Sequence, residues 1–269
     1  MSETAEPTSN EPAAGGERDP QYWKNAFSGN PVSIVVPPYI RFLQGQIALR
    51  RALAFLVVAR EEAHSGNPRL LPIFESLNSS PEAKQAELSN ESVFASTGLI
   101  SLVSEVEHFF SNAVATALRM YPGKMGNQTF RLSEILSASS TDELVDRAAS
   151  GVMHELMYEK PLDYLSGLCE ILSIKKERLS QPWLSFVEIK ARRDLGVHNN
   201  WVVNQIYLRK IKEAQHTDLP SLGVRLIPEF AYLQTAINSC DELVRTMADL
   251  LGEKWIPVAR RPPAAPGEE

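Results

Sequence analysis

The sequence predicts an all-α fold, a helical bundle carrying an N-terminal helical extension, on three observations. Apolar residues recur near a 3.6-residue period through six segments. Strand-like alternation is nearly absent, and Gly, Pro and helix-starting side chains fall between the periodic stretches.

In chain order, residues 1–20 hold five acids, one base and no apolar stretch, and are expected to be a disordered tail. Residues 21–90 form the extension. Within it, Pro31–Pro38 (PVSIVVPP) is fenced by prolines and is expected to be extended, an edge strand at most. Residues 39–63 predict a helix whose stripe is Tyr39, Phe42, Leu43, Ile47, Leu53, Leu56 and Val57, stopped by His64-Ser-Gly-Asn-Pro. Residues 70–77 are a short apolar piece, and 78–90 a polar linker.

The bundle is assigned to residues 91–253. Its first helix, 92–120, has Leu99, Leu102, Val106, Phe109, Ala113, Ala117 and Met120 on one stripe. Ser140-Thr-Asp-Glu starts the next, to about 159. A shorter helix spans 161–174 and carries Leu162, Leu165, Leu168 and Ile171 or Leu172. Residues 180–195 turn Leu184, Val187, Ala191 and Leu195 inward. The last helix, 228–251, keeps its period through Leu233, Ile237, Cys240, Val244, Met247 and Leu251. Residues 254–269 are proline-rich and expected to be unfolded.

Composition narrows the class. The chain is 43% apolar and 22% charged, which excludes wholesale disorder and collagen-like structure. Two cysteines, Cys169 and Cys240, sit in helical patterns and are expected to be reduced core residues. The longest strongly apolar run, 52–59, lies between Arg51 and Arg60, so no membrane span and no membrane partner are expected. The N-terminus resembles neither a signal nor a transit peptide, and a cytoplasmic location is expected.

Several chemistries lack their motifs. The chain has no GxGxxG, P-loop, GxSxG or paired CxxC. Histidines 64, 108, 154, 198 and 216 do not fall at zinc-ligand spacing, so no metal and no cofactor are expected. His64, His108, His154 and His216 read as structural or exposed residues.

One segment is different. Residues 188–208, EIKARRDLGVHNNWVVNQIYL, place Arg193, Asp194 and His198 within six residues, beside Asn199, Asn200, Asn204 and Tyr207. Five residues of ideal helix turn about 500°, leaving Arg193 and His198 about 140° apart. Gly196 is expected to loosen that turn, so that both reach one cleft. An imidazole can take the proton of a ribose 2′-OH. A guanidinium can hold the scissile phosphate and stabilise its growing charge. Asp194 can fix either the arginine fork or the histidine tautomer. The same residues also fit an Arg193–Asp194 surface ion pair with His198 at a helix C-terminus.

Charge distribution bears on this choice. The net charge is −6, yet residues 175–212 carry nine Lys or Arg against Glu177, Glu188 and Asp194. That stretch is either a solvated face or a path for a polyanion. On the second reading Lys190, Arg192, Arg209, Lys210 and Lys212 track an RNA backbone, with Asn199, Asn200 and Asn204 as further contacts. Glu188 reads as a solvated helix residue, or one that orients a neighbour.

RRDLGVHNNWVVNQIYL resembles the signature of the HEPN superfamily, most closely members reading RRNxxVHNxGxVNxxYL. The likeness extends to SLVSEVEHFFSNAVATALRMYP, to Leu-Ser-Glu-Ile-Leu with Ser-Thr-Asp-Glu-Leu, and to the Gly223-Val-Arg-Leu region, covering about residues 91–252. Trp201 departs from it, standing where glycine is common, and Asp194 is the less usual residue beside the arginine. The resemblance implies a four- to five-helix bundle and a homodimer whose two motifs make one composite, metal-independent endoribonuclease site. RNA is then the substrate, cut to 2′,3′-cyclic phosphate ends. Arg193, Asp194 and His198 are the catalytic set, in a toxin–antitoxin or antiviral system with an antitoxin or regulatory protein partner. Some relatives have lost catalysis and bind proteins or nucleotides, which is the alternative reading. The apolar N-terminal helix is either core or a docking element.

Overall fold

The computed structural model describes residues 30–69, 72, 75, 90–126 and 129–259. The expected tail at 1–20, most of 70–77 and the linker up to residue 89 lie outside them. Among the described residues the chain folds into eight α-helices and three 3₁₀ turns, with no strand beyond an isolated bridge between Val202 and Arg225. The helices are α1 (Val36–His64), α2 (Asn90–Met120), α3 (Leu132–Ser137), α4 (Thr141–Tyr158), α5 (Pro161–Leu172), α6 (Ser180–Asn199), α7 (Gln205–Glu213) and α8 (Phe230–Ala259). The all-α helical bundle is as the apolar periods require.

Helix α2 is the central element, because its apolar residues outgrow one stripe. Leu99, Leu102, Val103, Val106, Phe109, Phe110, Ala113, Val114, Ala117 and Leu118 are all buried. Helices α1, α4, α5, α6 and α8 pack around it. Phe110 meets Trp183 and Phe186 of α6 with ring centroids 5.8 Å apart. The Trp183 Nε1 donates to Pro161 O at 2.8 Å, so the indole is buried with its one donor satisfied. Each such large side chain stabilises the fold by roughly 1.5–3 kcal/mol through burial. Cys169 and Cys240 are buried and free. Burial lifts the Cys169 thiol to about 11 and raises Cys240 further.

Three differences from the sequence reading have identifiable physical causes. Pro31–Pro38 is helical rather than extended. Asn30 Oδ1 accepts from Val32 N at 3.0 Å and opens a 3₁₀ turn, Pro31–Ile34. Pro37 and Pro38 then occupy the first turn of α1, where a missing N–H costs nothing. The apolar stripe of α1 is also displaced. Phe42, Gln46, Leu49 and Leu53 face the bundle, whereas Ile47 and Val57 face outward. At the far end, the segment expected to unfold after residue 253 continues α8 to Ala259. Trp255 there is buried, stacks on Tyr121 at 5.1 Å and donates to Leu172 O at 3.1 Å.

The extension belongs to the same core, since Phe42 lies 6.3 Å from Phe109. The expectation of no membrane-length helix needs correction. The stretch Pro31–Ala59 is, by length and composition, long and apolar enough to cross a membrane. The eight-residue run understates it, because the apolar residues before Arg50 add to the same helix.

Candidate functional site

The segment singled out in the sequence is the C-terminal half of α6 together with the turn and α7 beyond it. Helix α6 runs unbroken through Gly196 to Asn199, four residues beyond the expected end. The expected loosening at Gly196 is absent, for a steric reason. Asn200 and Trp201 both take left-handed conformations, φ 48° and φ 63°, which reverse the chain. Trp201 N donates to Leu195 O at 3.0 Å, and the indole folds back onto Gly196. A Cβ at Gly196 would stand 2.4 Å from the Trp201 ring, so glycine is required here for space rather than for bending. The left-handed Trp201 backbone costs on the order of 1–2 kcal/mol, which burial of the indole offsets. Glycine would suit that φ.

The chain beyond the turn is pinned. Asn199 Nδ2 donates to Val202 O at 2.6 Å, Val203 N to Val224 O at 2.8 Å and Leu226 N to Trp201 O at 2.8 Å. Asn204 then caps α7, its Oδ1 accepting from Tyr207 N at 2.9 Å. Helix α7 was not legible as a separate helix, its buried face being only Tyr207 and Ile211.

With α6 regular, Arg193 and His198 of one chain leave the helix about 140° apart. Arg193 is largely buried and points to the central helix, where its Nη2 donates to Glu107 Oε2 at 2.5 Å. Lys190 pairs with the other oxygen of the same carboxylate. Asp194 bridges Lys210 Nζ at 3.0 Å and Arg193 Nε at 3.5 Å. Of the two roles open to Asp194 in the sequence, its contacts are to the arginine. Arg193 Nε is buried without a hydrogen bond among the described residues. His198 is exposed in the last turn of α6, where a cation complements the helix dipole.

The structure therefore joins Lys190, Arg193, Asp194 and Lys210 around Glu107, with His198, Asn200 and Arg209 exposed nearby in sequence. It separates Arg192 from that group. The Arg192 Nε donates to Glu188 Oε1 at 2.8 Å, and its guanidinium lies 3.9 Å over the Tyr232 ring. Tyr207 and Tyr232 hydroxyls donate to the same Glu188 carboxylate at 2.9 and 2.6 Å. Burial, and then Glu188, push both phenols above their ordinary range. Burial opposes the Arg192 charge, but Tyr232, Glu188 and Tyr207 outweigh it and hold the guanidinium charged. Arg192, Asn199 and Asn204, expected to contact RNA, each have a polar atom engaged within the fold. Glu188 is a hub rather than a solvated residue.

Sequence reasoning missed Glu107. Its signal was present, since Glu107 falls between Val103 and Phe110 on the inward register of α2 and a carboxylate there needs a cation. A recess of about 40 Å³ beside the cluster is lined by Met157, Tyr164, Trp183, Lys190 and Lys210. It has room for a few waters but not for a nucleobase. His216 lies 3.2 Å from Leu184 O and His154 packs against Tyr158, both outside the cluster. Among the described residues, no three His, Cys, Asp or Glu side chains group as a metal site. The chain matches no family model, no curated protein and no solved structure.

Proposed function

We propose that the protein is a metal-independent endoribonuclease of HEPN type, acting in the cytoplasm as a homodimer within a defence or toxin–antitoxin system. The observation that carries this reading is the Arg193 guanidinium. It is held by Glu107 and Asp194 at the edge of a cationic cluster, five residues before the exposed His198. His198 takes the proton of a ribose 2′-OH, whose oxygen attacks the adjacent phosphorus. The P–O5′ bond breaks, the 5′ oxygen takes up a proton, and a 2′,3′-cyclic phosphate remains. Arg193 holds the non-bridging oxygens and stabilises their charge. Because the two side chains of one chain diverge, the reading requires a second copy of the motif to complete the site. Lys190, Lys210 and Arg209 line the approach of the strand, and an antitoxin or regulatory protein would restrain the enzyme.

The test is RNA incubated with purified protein in EDTA. Cleavage that persists in chelator, yields cyclic phosphate ends and vanishes in both Arg193→Ala and His198→Ala supports the reading. Cleavage retained in either variant overturns it.

A second reading, a non-catalytic module binding a protein or nucleotide, is favoured by one observation. Arg193 already has carboxylates on two sides, so a phosphate must compete with Glu107 for it. Intact RNA together with a stoichiometric bound partner decides for this reading.

A further inference from the structure

The recess beside the Arg193 cluster contains a buried donor that the fold leaves unused. Tyr164 of α5 lines the recess and is 4% exposed, and its hydroxyl has no hydrogen-bond partner among the described residues. Its ring stands edge-on to Trp183 at 5.1 Å, which holds it in place. Burial, and then Glu107, raise the pKa of the phenol, so the hydroxyl keeps its proton. A buried donor without a partner destabilises the fold until something supplies an acceptor.

The neighbouring side chains narrow the choice of acceptor. Lys190 and Lys210 line the same recess. An ammonium has three N–H donors, and Lys190 pairs with Glu107 and Lys210 with Asp194, which leaves donors over on both. Lys190, Arg193 and Lys210 together outnumber Glu107 and Asp194 by one positive charge. Glu159 lines the recess too, but it is exposed and its charge is screened. Met157 and Trp183 are apolar walls, against which an ionic contact is stronger than in water. Size then selects among anions. A volume of about 40 Å³ takes about three waters, close to the bulk of the terminal oxygens of one phosphate. We propose that the recess binds a phosphate group through three terminal oxygens, received by Lys190, Lys210 and Tyr164. Inorganic phosphate and the end phosphate of a nucleic acid strand share this chemistry. An internal phosphodiester offers only two such oxygens and carries a sugar on each side, which the recess cannot admit. Only the strand-end source rests on the ribonuclease reading.

Thermal unfolding of the full chain in sodium phosphate, against sodium chloride of equal ionic strength, tests the site. The wild-type midpoint is expected to rise with phosphate by mass action, and dimethyl phosphate to bind at least tenfold more weakly. Tyr164→Phe keeps the ring and removes an unpartnered hydroxyl, so its midpoint without phosphate holds while its phosphate affinity falls about tenfold. Lys210→Met lowers the affinity by a similar factor. A wild-type midpoint indifferent to phosphate, dimethyl phosphate bound as tightly as phosphate, or a phosphate response that both variants retain overturns the proposal. A single-stranded oligodeoxynucleotide, lacking the 2′-OH that the proposed cleavage needs, separates the two sources. Binding at least tenfold tighter with a terminal phosphate than with hydroxyl ends, and lost in Tyr164→Phe, assigns the recess to a strand end. Equal binding of the two strands, alongside the phosphate-dependent rise, assigns it to free phosphate. Both arms read binding rather than cleavage, so this site and the ribonuclease reading can fail separately.

Discussion

Arg193 of α6 and Glu107 of the central helix form an ion pair at 2.5 Å in which both side chains are more than four-fifths buried. This contact fixes where the motif arginine points, and Lys190 shares the same carboxylate. Removing Glu107 leaves two largely buried cations without their shared carboxylate. Glu107→Ala is therefore expected to cost about 1–3 kcal/mol, read as a lower urea midpoint with the slope unchanged.

Arginine chemistry at position 193 separates charge from shape. Arg193→Lys keeps the cation but loses the planar fork that grips a phosphate bidentately. On the proposed mechanism, RNA cleavage falls by roughly 10²-fold or more while the thermal midpoint holds within a few degrees. Cleavage at wild-type rate in this variant would remove the fork from the mechanism.

The Gly196–Trp201 contact predicts a coupled pair. Gly196→Ala puts a methyl group into the indole, an overpacking cost of about 1–3 kcal/mol, with a lower thermal midpoint. Trp201→Gly in that background is expected to recover part of the loss, since it removes the clash and suits the positive φ. Additive losses in the double variant would contradict this packing.

Glu188 ties α6 to α7 and α8 through Arg192, Tyr207 and Tyr232. Glu188→Ala strands one guanidinium and two hydroxyls, and a loss of about 3–5 kcal/mol is expected. Tyr232→Phe, which removes one bond, should cost about 1–2 kcal/mol. Denaturant titration of the pair checks that order.

His108 gives a pH dependence. Burial first, and then the Arg41 charge, lower its pKa from the ordinary 6.5, against Glu105 which raises it. The unfolded chain thus takes up a proton at higher pH than the folded one. Stability is full above about pH 6.5 and declines as pH falls below it toward the folded value. His108→Gln should flatten that part of the stability profile, and an unchanged slope would assign the effect elsewhere.

Much of the scaffold was legible in one dimension. The period of Leu99, Leu102, Val106, Phe109 and Ala113 is a local property, and it predicts a buried helix before any neighbour is known. Ser140 likewise caps α4 as its side chain requires, accepting from Glu143 N at 3.2 Å. What failed locally failed for long-range reasons. Which face of α1 turns inward depends on where Phe109 lies, and the extent of α8 depends on Tyr121 and Leu172 receiving Trp255.

The candidate site divides the same way. By itself the sequence determined that Arg193, Asp194 and His198 share one short stretch, because spacing along a chain survives any fold. Tertiary structure alone decided that Arg193 meets Glu107, 86 residues away, that Arg192 is sealed under Tyr232, and that Gly196 yields its space to Trp201. Charges and rings find these partners only when helices distant in sequence pack at contact distance, and no local periodicity encodes that encounter.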